Sequence, residues 1–458
     1  MNRRQFSVAA LTFSAGLAAR AAPAHAAVRR IRVKVEPARA GARIPSDFLG
    51  LSYESGELPH ADFFSARNRS MVSLIRGLGP NGMIRIGGNS SERTLFRSEG
   101  GRDIKQPRTT FAPADVDRLA GFMDAIGWKL VWGLNLATGT PDDAAREAAY
   151  VMRRLGKRLA AFQIGNEPDL LGGDGRPRPN GYGVADYLRE WRTFVSAVRA
   201  RVPDARFAGP DVAARIDWLK PFAEDAAKDL AMLTYHYYDE GPAEDPKVSI
   251  ARLLAPDPAF ARGLEEMSKL ARGYRLPFRL IETNSVYNGG RFGVSDTLAA
   301  GIWGLDLMFR EAAAGSAGVN FHAGRHRSYS PIAQPSPLDP YGARPLYHAM
   351  RLFGETARGR MVDCTVRADG INVAAYACRS DDGTIRVILV NKDLRQDASV
   401  ILDAGTRSAR APVRRLTGRG PSAIDGVSII DDLPLSRSHN TFIADVPLCS
   451  AAVVTFVE

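Results

Sequence analysis

The sequence predicts an α/β fold: a (β/α)8 barrel followed by a C-terminal all-β sandwich that also takes up an N-terminal strand. Three observations predict it. Between residues 46 and 355, eight short apolar runs alternate with longer stretches of helical period, as a parallel sheet with helical crossovers requires. Polar residues recur at the C-terminal ends of most of these runs, where a barrel carries its catalytic face, and this disfavours a doubly wound open sheet. After Gly354 the texture changes to strand-like runs punctuated by Gly, Asp and Asn.

The first segment, residues 1–26, reads as a cleaved export signal. Arg3 and Arg4 followed by Gln5 and Phe6 have the form of a twin-arginine address. The apolar stretch from Val8 to Ala19 is too short to span a bilayer, and Ala24 and Ala26 flank a cleavage site. A periplasmic or secreted protein is expected, with no membrane association. Residues 27–45 contain an alternating run, Arg30 to Pro37, that predicts a strand joining the β-domain.

Residues 46–355 form the barrel, whose strands are expected at Asp47 to Tyr53, Met83 to Gly87, Lys129 to Leu134, Ala160 to Gly165, Arg206 to Pro210, Met232 to Tyr237, Phe278 to Ile281 and Gly318 to His322. Helices are expected over Pro113 to Ala125, Asp142 to Leu155, Val184 to Arg201 and Ser295 to Ala314. Pro113 suits a first helical turn, and Ser295 an N-cap. Residues 356–458 form the sandwich, expected to stabilise the barrel rather than supply catalytic groups.

The formal charge is +11, or +8 once the leader with Arg3, Arg4 and Arg20 is removed. Lys and Arg are scattered rather than blocked, and no basic run interleaves with aromatics, which argues against a nucleic-acid partner. A basic surface suits an acidic polysaccharide. The three cysteines, Cys364, Cys378 and Cys449, lie in the last quarter and cannot all pair. His322 and His326 are four apart in a glycine-containing loop without a cysteine or carboxylate cluster, so no metal site is expected. No nucleotide fingerprint is present and no cofactor is called for. A monomer is expected.

Two glutamates carry the chemistry. Glu167, in FQIGNEPD, ends the fourth run, and Glu282, in FRLIETNS, ends the seventh. Cleaving a glycosidic bond takes one carboxyl to protonate the leaving oxygen and another to attack the oxocarbenium-like carbon. Strands four and seven face each other across a barrel mouth, where carboxyls about 5 Å apart would make a retaining enzyme. Glu167 suits the acid/base and Glu282 the nucleophile.

The Asn-Glu-Pro at the end of strand four, with FLGLSYES, IRIGGNSSE, TYHYY and IETNSVYNGG, resembles glycoside hydrolase family 79 of clan A, the heparanase and β-glucuronidase group, over the chain from about Phe48 onward. The resemblance implies a retaining β-glucuronidase acting on β-linked glucuronic acid in oligosaccharides or glycosaminoglycans, in the manner of heparanase on heparan sulfate. It implies that Glu54 and Asn89 hydrogen-bond ring hydroxyls, that Asn166 contacts the 2-hydroxyl, and that Tyr237 hydrogen-bonds the nucleophile.

The family binds the sugar carboxylate with a glycine-rich turn and a tyrosine. Here Tyr287, Asn288, Gly289 and Gly290 stand at that turn, although vertebrate heparanases have a run of glycines where Asn288 stands, and Tyr329, in SYSPI after the eighth run, is the candidate for the partner hydroxyl. The two glutamates alone fit equally a β-xylosidase or an α-arabinofuranosidase. A non-catalytic polysaccharide-binding barrel is the reading from another class. Arg176 and Arg178, in the long loop 170–183, are positioned in sequence to meet sulfate or carboxylate groups, and Glu54 is a candidate to pair with Arg85.

Overall fold

The computed structural model describes residues 30–97, 109–336, 338–368 and 370–457. The leader expected at residues 1–26 lies outside the described residues. Eight parallel strands close into a barrel: Leu49–Glu54, Met83–Gly87, Lys129–Leu134, Leu159–Ile164, Phe207–Val212, Leu230–Glu240, Phe278–Val286 and Val319–Ala323. Each is followed by a helix, namely Arg69–Leu78, Pro113–Ile126, Pro141–Leu155, Val184–Arg201, Leu219–Ala226, Pro258–Tyr274, Leu298–Ala314 and Pro345–Thr356. The second, fifth, seventh and eighth strands are buried throughout, as expected of a sheet covered on both faces.

Inside the barrel, Met83, Val131, Ala161, Ala208, Met232 and Ile281 form one apolar layer. Strand side chains alternate, so the residues two positions further on stand directly above that layer. Arg85, Gln163 and Thr234 occupy these positions, all 0% exposed, and His236 stands one step higher. The change from apolar to polar up the barrel axis is thus written in the strands' own period.

Two strands run further than expected. The sixth extends to Glu240 and the seventh to Val286, so Glu282 lies within its strand rather than at its end. The pairing register shifts between Leu280 and Glu282, and this bulge re-aims the carboxylate although Ile281 already faces the interior. The helix expected from Ser295 begins instead at Leu298, after Thr297. Ser295 Oγ accepts from the Arg291 amide, and Asp296 from that of Gly293, so both serve the preceding turn.

At the other end of the chain, nine strands form one sheet that curls on itself, bringing Phe442 within 5.0 Å of Phe456. Arg30–Arg43 joins it, antiparallel to Arg360–Arg367 and parallel to Ala398–Asp403. The inward residues of this run, Ile31, Val33 and Val35, belong to the sandwich core. The sandwich rests on the barrel's seventh and eighth helices, where Asp306 accepts from Tyr376 and Lys392, both at 2.6 Å, and Glu355 accepts from Arg414 at 2.5 Å. Cys364, Cys378 and Cys449 are all free thiols. No helix among the described residues is long and apolar enough to cross a membrane.

Candidate active site

At the C-terminal mouth of the barrel, a cleft of about 1340 Å³ is lined by residues from Glu54 to Tyr329, none of them from the sandwich. Its floor is organised by Arg85. The guanidinium donates to Glu282 Oε2 at 2.5 Å, Asp211 Oδ2 at 2.6 Å, Asn166 Oδ1 at 2.8 Å, Gln163 Oε1 at 3.1 Å and Ser52 Oγ at 3.3 Å. Burial works against its charge, but Asp211 and Glu282 more than offset that and raise its pKa. A buried cation with all its donors engaged fixes each acceptor's position.

Glu282 accepts a second hydrogen bond, on Oε1, from the Tyr238 hydroxyl at 2.8 Å. Burial alone would neutralise this carboxyl, but His322, His236 and Arg85 bring its pKa below the ordinary value and hold it ionised. His322 lies 3.5 Å from Glu282 and, through its other ring nitrogen, 3.5 Å from Glu54. Glu54 accepts from both the amide and the hydroxyl of Ser90. Its burial is outweighed by His322 and Ser90, which bring its pKa to about 2.

Glu167 faces Glu282 from the end of strand four. Its backbone is left-handed, with φ 47 and ψ 55, a conformation that costs a non-glycine residue about 1–3 kcal/mol. The preceding Gly165, the Glu167 amide bonded to the Asp211 carbonyl at 3.0 Å, and Pro168 opening a short 3-10 turn hold it there. His236 Nδ1 sits 3.0 Å from Glu167 Oε1, and Nε2 sits 3.3 Å from Asp211, close but not aligned as a hydrogen bond. Burial opposes the imidazolium, yet Asp211 and Glu282 raise the His236 pKa to about 10. One ligand atom from each of Glu167, His236 and Glu282 lies within 4.8 Å of the others. A cation could meet this trio only beside the Arg85 guanidinium, which already holds Glu282.

The other expected residues divide. Asn166 is 2% exposed, with its amide bonded to Glu92 Oε1 at 2.5 Å and its side chain donating to Asn89 at 3.1 Å. Asn89 is exposed on the cleft wall, as are Tyr287 and Asn288, and Gly289 and the buried Tyr329 complete that wall. Gly290 stands behind it. With φ 82, a Cβ there would fall 2.7 Å from the Tyr329 amide, so glycine lets the two loops touch.

Tyr237 does not reach Glu282. Its hydroxyl donates to Asp239 at 2.6 Å and Asp257 at 2.9 Å, and its ring lies 4.1 Å from that of Phe260 on the sixth helix. Residues alternate along the sixth strand, so Met232, Thr234, His236 and Tyr238 face inward and Tyr237 faces out. The strand's period was the signal that distinguishes the two tyrosines. Glu54 pairs with His322 and Ser90 rather than directly with Arg85. Arg176 lines the cleft, whereas Arg178 is held by Glu190 and the carbonyls of Leu136 and Ala137.

Glu92 closes the motif IRIGGNSSE, and nothing in its local sequence marks the role it plays. It accepts from the amides of Leu136, Ala137 and Asn166, and burial pushes its pKa up to about 7 against those bonds. Asp211 was likewise missed, because nothing local marks it. Its positive φ of 66 and its bond to Arg85 belong to the closed barrel.

No family model matches the chain. It is 24% identical over 377 residues to a β-glucuronidase of Aspergillus niger, covering 74% of this chain and 68% of that protein. It is 22% identical over 321 residues to the heparanase of Bos taurus, covering 57% of this chain and 58% of that protein. Among solved structures, a 4-O-α-L-rhamnosyl-β-D-glucuronidase from Fusarium oxysporum aligns over 93% of this chain and 100% of its own at a TM-score of 0.75 and 19% identity.

Proposed function

We propose that this chain, a clan A glycoside hydrolase of the family-79 type, is a retaining β-glucuronidase working by double displacement. The observation that carries the mechanism is the approach of the Glu167 and Glu282 carboxyls to within 4.8 Å, which leaves room for attack by one of them but not for a water between them. Glu282, ionised and aimed by Arg85 and Tyr238, attacks the anomeric carbon. Glu167 protonates the departing oxygen and then, as a carboxylate, draws a proton from the water that releases the sugar.

Relatives named β-glucuronidase and heparanase support glucuronic acid as the sugar. Tyr287, Asn288 and Gly289 of the turn, backed by Gly290, bind its carboxylate together with Tyr329, while Glu54, Asn89 and Asn166 meet ring hydroxyls. The reading extends to an exported monomer acting on a glucuronic-acid-containing polysaccharide such as heparan sulfate.

Wild-type enzyme assayed on aryl β-glucuronide, β-xyloside and α-arabinofuranoside should turn over the first preferentially and release the β-anomer initially, as NMR of early product would record. Release of the α-anomer would remove the retaining mechanism, and preference for another sugar would remove the substrate. Glu282→Gln should lose activity by several orders of magnitude. Glu167→Ala should spare substrates with good leaving groups far more than those with poor ones, because only the latter need the proton. Product sizing after incubation with heparan sulfate separates internal from terminal cleavage.

A further inference from the structure

The floor of the cleft already uses its own basic groups. Glu54, Asp211 and Glu282 face Arg85, His236 and His322, so an arriving sugar carboxylate meets acids whose basic partners are already engaged. A tyrosine hydroxyl and the amides of a glycine turn supply partial dipoles only. Stable binding of a full negative charge beside Glu282 calls for a positive charge not already spent.

We infer that Arg327 is that charge, the counter-ion for the sugar carboxylate and hence a determinant of uronate over neutral hexose. The inference rests on the glucuronidase reading above. Arg327 lies in the loop after strand eight, two residues before Tyr329, and lines the same wall as Tyr287 and Gly289.

Its side chain is laid across two glycines. A Cβ on Gly324 would stand 3.0 Å from Arg327 Cγ, and one on Gly289 3.0 Å from Nη1 and 3.2 Å from Cδ. The backbone beneath is tied down: Ser328 donates to the Gly289 carbonyl at 2.9 Å, and the Arg327 carbonyl accepts from the Ser330 amide at 3.1 Å and from Arg344 Nη1 at 3.0 Å.

Neighbouring arginines are committed elsewhere, Arg325 to Glu57, Arg291 to the Asp245 carbonyl and Arg344 to two carbonyls of this loop. The Arg327 guanidinium has no hydrogen-bond or ion-pair partner among the described residues. Its field reaches the wall: burial raises the Tyr329 pKa, Glu282 adds to that, and Arg327 opposes it. Amides of the turn, the Tyr329 hydroxyl and a guanidinium thus converge where a hexuronate would carry its carboxylate and a hexose only a hydroxymethyl group.

The test compares aryl β-glucuronide with aryl β-glucoside on the wild type, Arg327→Gln and Arg327→Lys. A monosaccharide glycoside has no neighbouring sugar on the nonreducing side, so any effect belongs to this carboxylate and not to an anionic group further along a polymer. In Arg327→Gln the ratio of kcat/KM for glucuronide over glucoside should fall about 100-fold, the scale of an unpaired anion in a partly closed site.

Arg327→Lys should keep part of the selectivity. In the wild type, added NaCl should raise KM for the glucuronide and leave that for the glucoside flat, a readout that needs no variant to fold. An active wild type with the same selectivity in all three proteins and no salt effect on KM overturns the inference alone. A wild type that does not turn over the glucuronide removes the glucuronidase reading, and this inference with it.

Discussion

At the scale of single residues, the floor of the cleft depends on alternation along the sixth strand. His236 and Tyr238 face the interior and touch Glu167 and Glu282, whereas Tyr237 between them faces Phe260. Tyr238 donates to an ionised carboxylate, a bond worth about 1.5–3 kcal/mol. Tyr238→Phe should therefore lower kcat about 10- to 100-fold with little change in melting temperature. Tyr237→Phe should do the reverse, costing about 1–2 kcal/mol of stability because Asp239 and Asp257 lose a shared donor, while kcat stays near wild type. Paired steady-state kinetics and thermal unfolding separate the two, and a larger kcat loss in Tyr237→Phe would contradict the assignment of the inward face.

At the scale of elements, the loop 170–183 forms the wall beside Glu167, and one arginine holds it there. Arg178 donates to Glu190 at 2.8 Å and to the carbonyls of Leu136 and Ala137, both at 3.1 Å, and so ties the loop to the fourth helix and the third βα connection. Arg178→Ala should free the wall, cost about 2 kcal/mol and raise KM for an oligosaccharide more than for an aryl glucuronide, because the longer substrate uses more wall. Equal KM changes on both would argue that the loop does not border the polymer.

The elements themselves were legible in the chain. Apolar runs gave eight strands within a few residues, since a parallel barrel strand is buried on both faces and cannot hide its hydrophobicity. The glutamates were legible because IGNEP and IETN stand at the ends of such runs. What escaped was set by distance in the chain. Arg85 and Asp211 meet across 126 residues, and the bulge before Glu282 exists only once its neighbours pair. The exchange of Tyr237 for Tyr238 is the one miss that the strand period, counted from Met232, would have prevented.

At the scale of the whole molecule, buried carboxyls of two kinds set how stability varies with pH. Glu92 and Glu311 are pushed to about 7 and Glu147 to about 8, in each case by burial, against the Ala137 amide, the Tyr235 hydroxyl and the Trp132 indole respectively. A raised carboxyl pKa means that the folded state holds a proton the unfolded chain has released. This contribution is complete below the ordinary carboxylate value and is lost as pH rises through 7 to 8.

Glu54 and Asp211 act in the opposite sense. Burial would raise them, but His322 and Arg85 respectively lead the interactions that bring each to about 2, so their contribution is present above the ordinary value and lost as pH falls toward 2. His236, raised to about 10, contributes fully below its ordinary value and loses that contribution progressively as pH rises from there through about 10. The gains from Glu54 and Asp211 are complete near pH 5, where the losses from Glu92, Glu147 and Glu311 have barely begun. Thermal unfolding at constant ionic strength should accordingly give a higher melting temperature at pH 5 than at pH 8, by a few degrees. Glu147→Gln, which removes the titration while keeping a partner for the Trp132 indole, should shrink that difference. A melting temperature that rises from pH 5 to pH 8 would mean that these carboxyls are ionised in the folded protein and paired with cations.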